Sequence, residues 1–312
     1  MGLGFLFPGQ GAQAVGMAAD IEAVEAVVSR RFEEASDAVG FDLGNVVRNG
    51  PAEQLNKTEV TQPALLTVGI ALFDVWRRRG GSEPEVVAGH SLGEYSALVA
   101  AGSLDFSSAV ALVHERGKFM QDAVPPGQGA MAAILGLDDA VVEACCDGID
   151  GTVTPANYNA PGQVVIAGSA DAVAAAIAAC KDRGARRAVP LDVSVPSHCA
   201  LMAPASEPLA ELLSNADLRD PRIPVVQNYS AAPATNAGTI RDNLVRQLTS
   251  PVRWSASVST MANSGSESFV ECGPGSVLAG LARRIDRSLT VHGIGTLDGL
   301  ESALDASAAR SP

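Results

Sequence analysis

The sequence predicts an α/β fold in which one serine stands on a sharp strand-to-helix corner. The β-branched run Val86-Val87-Ala88 stops at Gly89 and a helix-forming run begins at Gly93, leaving Ser91 on the turn between them. Short apolar runs alternate with segments of helical period along the flanking chain, as strands covered by helices do. Between the breakers Pro125-Pro126 and Pro196 the order becomes β-α-β-β-α-β, that of a ferredoxin-like subdomain. Residues 1–126 and 196–312 then make a large catalytic domain, and residues 127–195 a small one inserted in it.

Taken in order, Gly4-Phe5-Leu6-Phe7 is a first strand running into the loop Pro8-Gly9-Gln10-Gly11. Glycines on both sides of Gln10 suit either backbone N–H groups offered to an anion or a plain turn. Residues 14–39 read as one broken helix or two, and residues 42–48 as a further short turn of helix. A long helix over 61–79 carries Ala64, Leu65, Val68, Leu72, Val75 and Trp76 on one face. Strand 85–88 feeds the corner, and the helix after it spans 93–101.

The helix over 106–122 holds an unusual placement. At about 100° per residue, Ala109, Val110, Leu112, Val113, Phe119 and Met120 share an apolar arc, and Arg116 projects into its middle. An inward guanidinium keeps its proton and needs an acceptor, either a buried carboxylate of the protein or the carboxylate of a ligand held in a bidentate fork.

In the small domain the expected elements are strand 130–135, helix 138–146, strands 151–156 and 163–167, helix 171–182 and strand 185–195. Beyond it come helix 199–213, strand 223–228, helices 239–248 and 252–261, strand 267–271, helix 276–285 and strand 289–294. The Ala/Ser-rich tail from Ala303 is expected to be loose.

Composition removes several functions. A net charge of −13 disfavours a nucleic-acid partner, which needs a basic face. There is no apolar run of transmembrane length, and the start Met1-Gly2-Leu3-Gly4-Phe5 reads as a strand rather than a signal peptide, so a cytoplasmic protein away from membranes is expected. Five cysteines without paired ligand spacing predict reduced, buried thiols and no metal site. Arginines nonetheless cluster at 77–79, at Arg183, Arg186 and Arg187, and at Arg283, Arg284 and Arg287, either as solvated helix ends or as patches for an acidic partner.

The Gly89-His90-Ser91-Leu92-Gly93 corner has the form of a nucleophile elbow, and a serine there needs a base. Among four histidines, His90 adjoins the serine and should point away, His114 lies on a polar helix face, and His292 lies in a terminal strand. His198, in the loop Val195-Pro196-Ser197-His198-Cys199, follows the serine in the chain order of hydrolases. It is the candidate base, with a structural histidine as the alternative. Asp192 is the nearest candidate for a third member, and a backbone carbonyl could serve instead. Cys199, next to the base, reads as a buried thiol.

With these residues in view the chain resembles the malonyl-CoA:acyl carrier protein transacylases, of the free-standing bacterial type. The matching stretches include Phe7-Pro8-Gly9-Gln10-Gly11, Gly89-His90-Ser91-Leu92-Gly93-Glu94-Tyr95, Arg116-Gly117-Lys118-Phe119-Met120-Gln121, Asn157-Tyr158-Asn159-Ala160-Pro161-Gly162, Pro196-Ser197-His198-Cys199, Gln247-Leu248-Thr249-Ser250-Pro251 and Glu271-Cys272-Gly273-Pro274-Gly275. The resemblance implies an α/β-hydrolase-like large domain with the ferredoxin-like insert over its cleft. It implies Ser91 as acylated nucleophile, His198 as base, the Gln247 main-chain carbonyl behind the base, and the N–H groups of Gln10 and Leu92 as oxyanion hole. Arg116 would fork the malonyl carboxylate, and Gln62, Asn157 and Asn159 would line the pocket.

The substrates implied are malonyl-CoA and acyl carrier protein, with no metal or redox cofactor, in a chain expected to be a monomer. The acidic carrier would dock on Arg183, Arg186, Arg187, Arg283 and Arg284. Rival readings are a trans-acting polyketide synthase acyltransferase and a serine hydrolase or thioesterase. A hydrolase has no need of the inward Arg116. Malonyl-selecting polyketide domains usually carry a bulky aromatic where Ser197 stands, which groups this chain with the free-standing enzymes and leaves acceptance of methylmalonyl open.

Overall fold

Phe5 and Phe7 point to one side of their strand and Leu6 to the other, and all three are fully buried, so the sheet they belong to is covered on both faces. The computed structural model describes residues 2–193 and 195–309. Ten strands run through them: β1 (Gly2–Phe7), β2 (Val86–Gly89), β3 (Gly129–Leu135), β4 (Val153–Ala160), β5 (Gln163–Ser169), β6 (Arg187–Pro190), β7 (Val225–Val226), β8 (Pro233–Ala234), β9 (Ser266–Glu271) and β10 (Thr290–Gly293). The large sheet has the order β10-β9-β1-β2-β7-β8, with every pair parallel except β7 with β8.

One face of this sheet carries the long helix Thr58–Arg78. Its Phe73 and Trp76 meet Phe5 at ring-centroid distances of 5.5 and 5.6 Å, both edge-on. The other face buries Leu6, Ala88 and Phe269 against Trp254, Val258 and Met261 of the helix Trp254–Asn263.

The small sheet is antiparallel in the order β4-β5-β3-β6, the second, third, first and fourth of its strands, as the ferredoxin-like pattern requires. The helices Asp139–Asp147 and Ala170–Asp182 close one face through Val142, Cys145, Cys146, Val173, Ala176 and Cys180. On the other face Met131, Ala156, Val165 and Ala167 gather with Cys199 against the large domain.

Four expectations about elements need correction. The strand read over 185–195 is only Arg187–Pro190. Pro190 has no N–H for the ladder; Leu191 N–H still donates to Met131 O at 2.9 Å, and past it Asp192 and Val193 continue as an exposed segment, while Ser194 lies outside the described residues. The strand over 223–228 shrinks to Val225–Val226 and turns back through β8, which the sequence reading missed. The helix expected from residue 61 begins at Thr58 and takes Pro63 inside its first turns. The tail is not loose: Leu297–Ala308 is a helix whose N-cap Thr296 accepts from Gly299 N–H at 3.2 Å and which buries Leu300 and Ala303. Residues 310–312 lie outside the described residues.

Candidate active site

Ser91 sits where β2 ends, with a φ of 51° in the left-handed region that a non-glycine residue enters only at a cost. The corner closes because Gly89 and Gly93 lack side chains. A Cβ on Gly89 would lie 1.8 Å from the Gly93 carbonyl carbon, and one on Gly93 would lie 2.0 Å from Phe7 O. Asn228, just after β7, clamps the turn. Its Oδ1 accepts from Ser91 N–H at 2.6 Å and its Nδ2 donates to Gly89 O at 2.6 Å.

The Ser91 hydroxyl meets His198 Nε2 at 2.7 Å, and His198 Nδ1 lies 2.8 Å from the main-chain oxygen of Gln247. A carbonyl only accepts, so Nδ1 carries the proton and Nε2 presents its lone pair to the serine. Burial, reinforced by the nearby charge of Arg116, pushes His198 down to about 3. The ring is therefore neutral and basic in form. Asp192, weighed as a third member, is exposed, and the Gln247 carbonyl holds the imidazole instead. Cys199 is buried with its Sγ 3.1 Å from Pro196 O, and burial raises its thiol, which removes it as a nucleophile. His90 turns from the serine toward Asn159 Oδ1, 2.8 Å away, and the ring of Trp254.

A cavity of about 230 Å³ opens in front of this pair. Gln10, His90, Ser91, Asn157, Asn159 and His198 line its polar end, while Met131, Val165, Leu191, Val193, Val277 and Leu281 line its apolar walls. Neither the Gln10 nor the Leu92 main-chain N–H donates to a protein acceptor among the described residues, and Leu92 is the N-cap of the helix Gly93–Ala100.

Arg116 lies behind the cavity rather than in its wall. It is 1% exposed, on the helix Phe106–Ala123, stacked 5.4 Å from the Tyr95 ring centroid. Its Nη1 donates to Gln62 Oε1 at 2.8 Å and its Nη2 to Gln247 Oε1 at 3.0 Å, while Nε has no hydrogen-bond partner among the described residues. Gln62, expected in the pocket wall, is likewise fully buried and faces the guanidinium. Gly117 permits this meeting, since a Cβ there would stand 2.6 Å from Glu59 Cα where the two helices cross. Among the described residues no carboxylate forms an ion pair with Arg116.

The match of the acyl transferase domain family runs over residues 4–297. This chain belongs to the acyl transferase family. The acyltransferase is 55% identical to the malonyl CoA-acyl carrier protein transacylase of Escherichia coli (strain K12) over 303 residues, 96% of this chain and 98% of that one. It is 43% identical to the Bacillus subtilis (strain 168) protein of the same name, over 97% of this chain and 96% of that one. Two solved structures share its fold. A malonyl-transacylase in complex with its type II PKS acyl-carrier protein matches with a TM-score of 0.97 at 48% identity, over 98% of this chain and 100% of that one. An acyl carrier protein S-malonyltransferase from Vibrio cholerae matches with a TM-score of 0.94 at 49% identity, over 97% and 99%.

The acyltransferase also uses residues that sequence reasoning did not single out. Glu94 is fully buried in the first turn of the elbow helix and accepts from Gln227 Nε2, Asn228 N–H and Gln247 Nε2 at 3.0, 2.8 and 3.1 Å. Burial lifts its carboxyl to about 7 against those donors and the charge of Arg116. Asn228 and the Gln247 side chain complete this network. Their signal in sequence was only polarity in otherwise apolar surroundings, at Val225-Val226-Gln227-Asn228 and at the end of the helix Ala237–Gln247.

The arginines named for docking, Arg183, Arg186, Arg187, Arg283 and Arg284, are all exposed. Arg284 Nη1 donates to Gln163, itself in the cavity wall, which puts Arg284 at the cleft. Among the described residues no group of His, Cys, Asp and Glu is arranged to hold a metal, and no helix is long and apolar enough to cross a membrane.

Proposed function

We propose that this acyltransferase moves the malonyl group from malonyl-CoA to the phosphopantetheine thiol of acyl carrier protein for fatty-acid synthesis, through a malonyl ester on Ser91. The observation that carries the substrate is Arg116, a buried cation held by two neutral amides and, among the described residues, in no ion pair with a carboxylate. The curated relatives are named for this transfer.

In the first half-reaction His198 Nε2 takes the Ser91 proton as Oγ attacks the thioester carbonyl. Charge gathers on the carbonyl oxygen, where the free N–H groups of Gln10 and Leu92 act as the oxyanion hole, helped by the N-terminal end of the helix Gly93–Ala100. The carbon–sulfur bond then breaks and His198 returns its proton to the leaving thiol of coenzyme A. In the second half the carrier thiol gives its proton to His198, attacks the ester and displaces Ser91, which recovers a proton from the imidazolium. Arg116 pairs with the distal carboxylate through N–H groups not used by Gln62 and Gln247. That pairing also offsets the positive field at His198, so the bound substrate makes the base stronger.

The apolar walls of the cleft receive the pantetheine arm, and Arg183, Arg186, Arg187, Arg283 and Arg284 face the acidic carrier. The steps require neither metal nor redox cofactor, and the reading is of a cytoplasmic monomer. A polyketide carrier is a second reading, favoured by the likeness to the malonyl-transacylase bound to a type II PKS carrier. Relative kcat/KM with the two carrier classes separates them. Intact-protein mass after malonyl-CoA treatment tests the chemistry: the parent gains one malonyl group and Ser91→Ala gains none, whereas a labelled Ser91→Ala overturns the assignment.

A further inference from the structure

Two glutamines from different helices hold Arg116, and the hydrogen-bond network fixes which end of each amide faces it. Gln247 Nε2 has three acceptors, Ser91 O at 3.1 Å, Glu94 Oε2 at 3.1 Å and Asn228 Oδ1 at 3.3 Å, which leaves Oε1 for Arg116. A flipped amide would set oxygen against oxygen there and N–H against N–H at the guanidinium. Gln62 presents Oε1 to Arg116, and its Nε2 has only Met120 Sδ at 3.5 Å.

A buried arginine is ordinarily paired with a carboxylate, which satisfies its donors and cancels its charge. Amide oxygens do the first without the second. We propose that Gln62 and Gln247 are positioning residues that set acyl specificity, aiming the Arg116 guanidinium while leaving its charge available to a carboxylate-bearing acyl group. Glu94 acts one step behind them by orienting the Gln247 amide, and stays out of direct contact with Arg116. The inference rests on the reading that Arg116 binds the malonyl carboxylate.

Position 62 separates charge from shape. Gln62→Glu changes one polar atom, gives up only the weak contact with Met120, and puts a carboxylate on Arg116 Nη1. Gln62→Leu removes the acceptor and adds no charge. The readout is the ratio of kcat/KM for malonyl-CoA to that for acetyl-CoA, which is independent of the fraction of each variant that folds. The expected fall in the ratio is roughly 10²-fold for Gln62→Glu and markedly less for Gln62→Leu. A Glu variant that keeps the ratio, or loses no more of it than the Leu variant, overturns the proposal. Arg116→Ala run in parallel tells the two failures apart. If it leaves the ratio unchanged, the substrate reading itself fails; if it collapses the ratio while Gln62→Glu does not, only the role of the amides fails.

Discussion

The Gln247 main-chain oxygen stands 2.8 Å from His198 Nδ1, in the position where a serine hydrolase of the Ser-His-Asp type carries a carboxylate. A neutral carbonyl fixes the tautomer and contributes less to a charged imidazole, in keeping with a ring pushed down to about 3. The free enzyme should therefore lack the protonation step near 6.5 that an ordinary histidine gives. The check is kcat/KM for malonyl-CoA between pH 5.5 and 8, where a limb that disappears in no variant except those at His198 would contradict the geometry. His198→Ala should slow acylation by roughly 10³-fold or more.

Asn228 holds both limbs of the elbow through two bonds of 2.6 Å. Asn228→Ala leaves Ser91 N–H and Gly89 O buried without partners, a cost of about 1–3 kcal/mol for each. Tm should fall by several degrees and kcat by about ten-fold. Asn228→Asp, which sets an oxygen against Gly89 O, should do no better. Thermal melts and single-turnover acylation of Ser91 measure both, and an unchanged acylation rate would make Asn228 a purely structural clamp.

The elbow and Arg116 were legible because their signals are local. Two glycines flank a serine between a valine run and a helix, and a helical period carries Arg116 to the apolar side. The Gln247 amide, Asn228 and Glu94 were not legible as a unit, since the contacts that tie Gln247 and Asn228 to the elbow at Ser91 and Glu94 join residues more than 100 positions apart. Gln62 could be placed on its helix but not aimed, because the close crossing at Gly117 decides what it faces. The tail helix was legible and overlooked, with Thr296 as a cap and Leu297, Leu300 and Leu304 at helical spacing.

Burial also lifts Glu271 to about 7, against N–H bonds from Leu278 at 2.9 Å and Ala279 at 2.8 Å. A carboxyl whose folded value is raised binds its proton more tightly folded than unfolded. Its contribution is whole below about 4.5 and is lost as pH rises through 7. The amount is up to about 3 kcal/mol. Glu271→Gln removes this dependence and adds a constant penalty, so the Tm difference between parent and variant should shrink from pH 5 to pH 8. Parallel curves would contradict it.

Exposed arginines on the small domain predict a salt-sensitive encounter with carrier protein. Reversing Arg183, Arg186 and Arg187 to Glu should raise KM for the carrier several-fold and leave KM for malonyl-CoA little changed. An unchanged carrier KM places docking elsewhere.

The whole account turns on a buried cation reading the far end of an acyl group while Ser91 holds the near end. The most direct measurement is the composition of the Ser91 ester after exposure to equimolar malonyl-CoA and acetyl-CoA, read by intact mass in the parent and in Arg116→Ala. The parent should carry malonyl almost exclusively and the variant should shift to acetyl by roughly 10²-fold. The same malonyl share in both proteins would contradict the account.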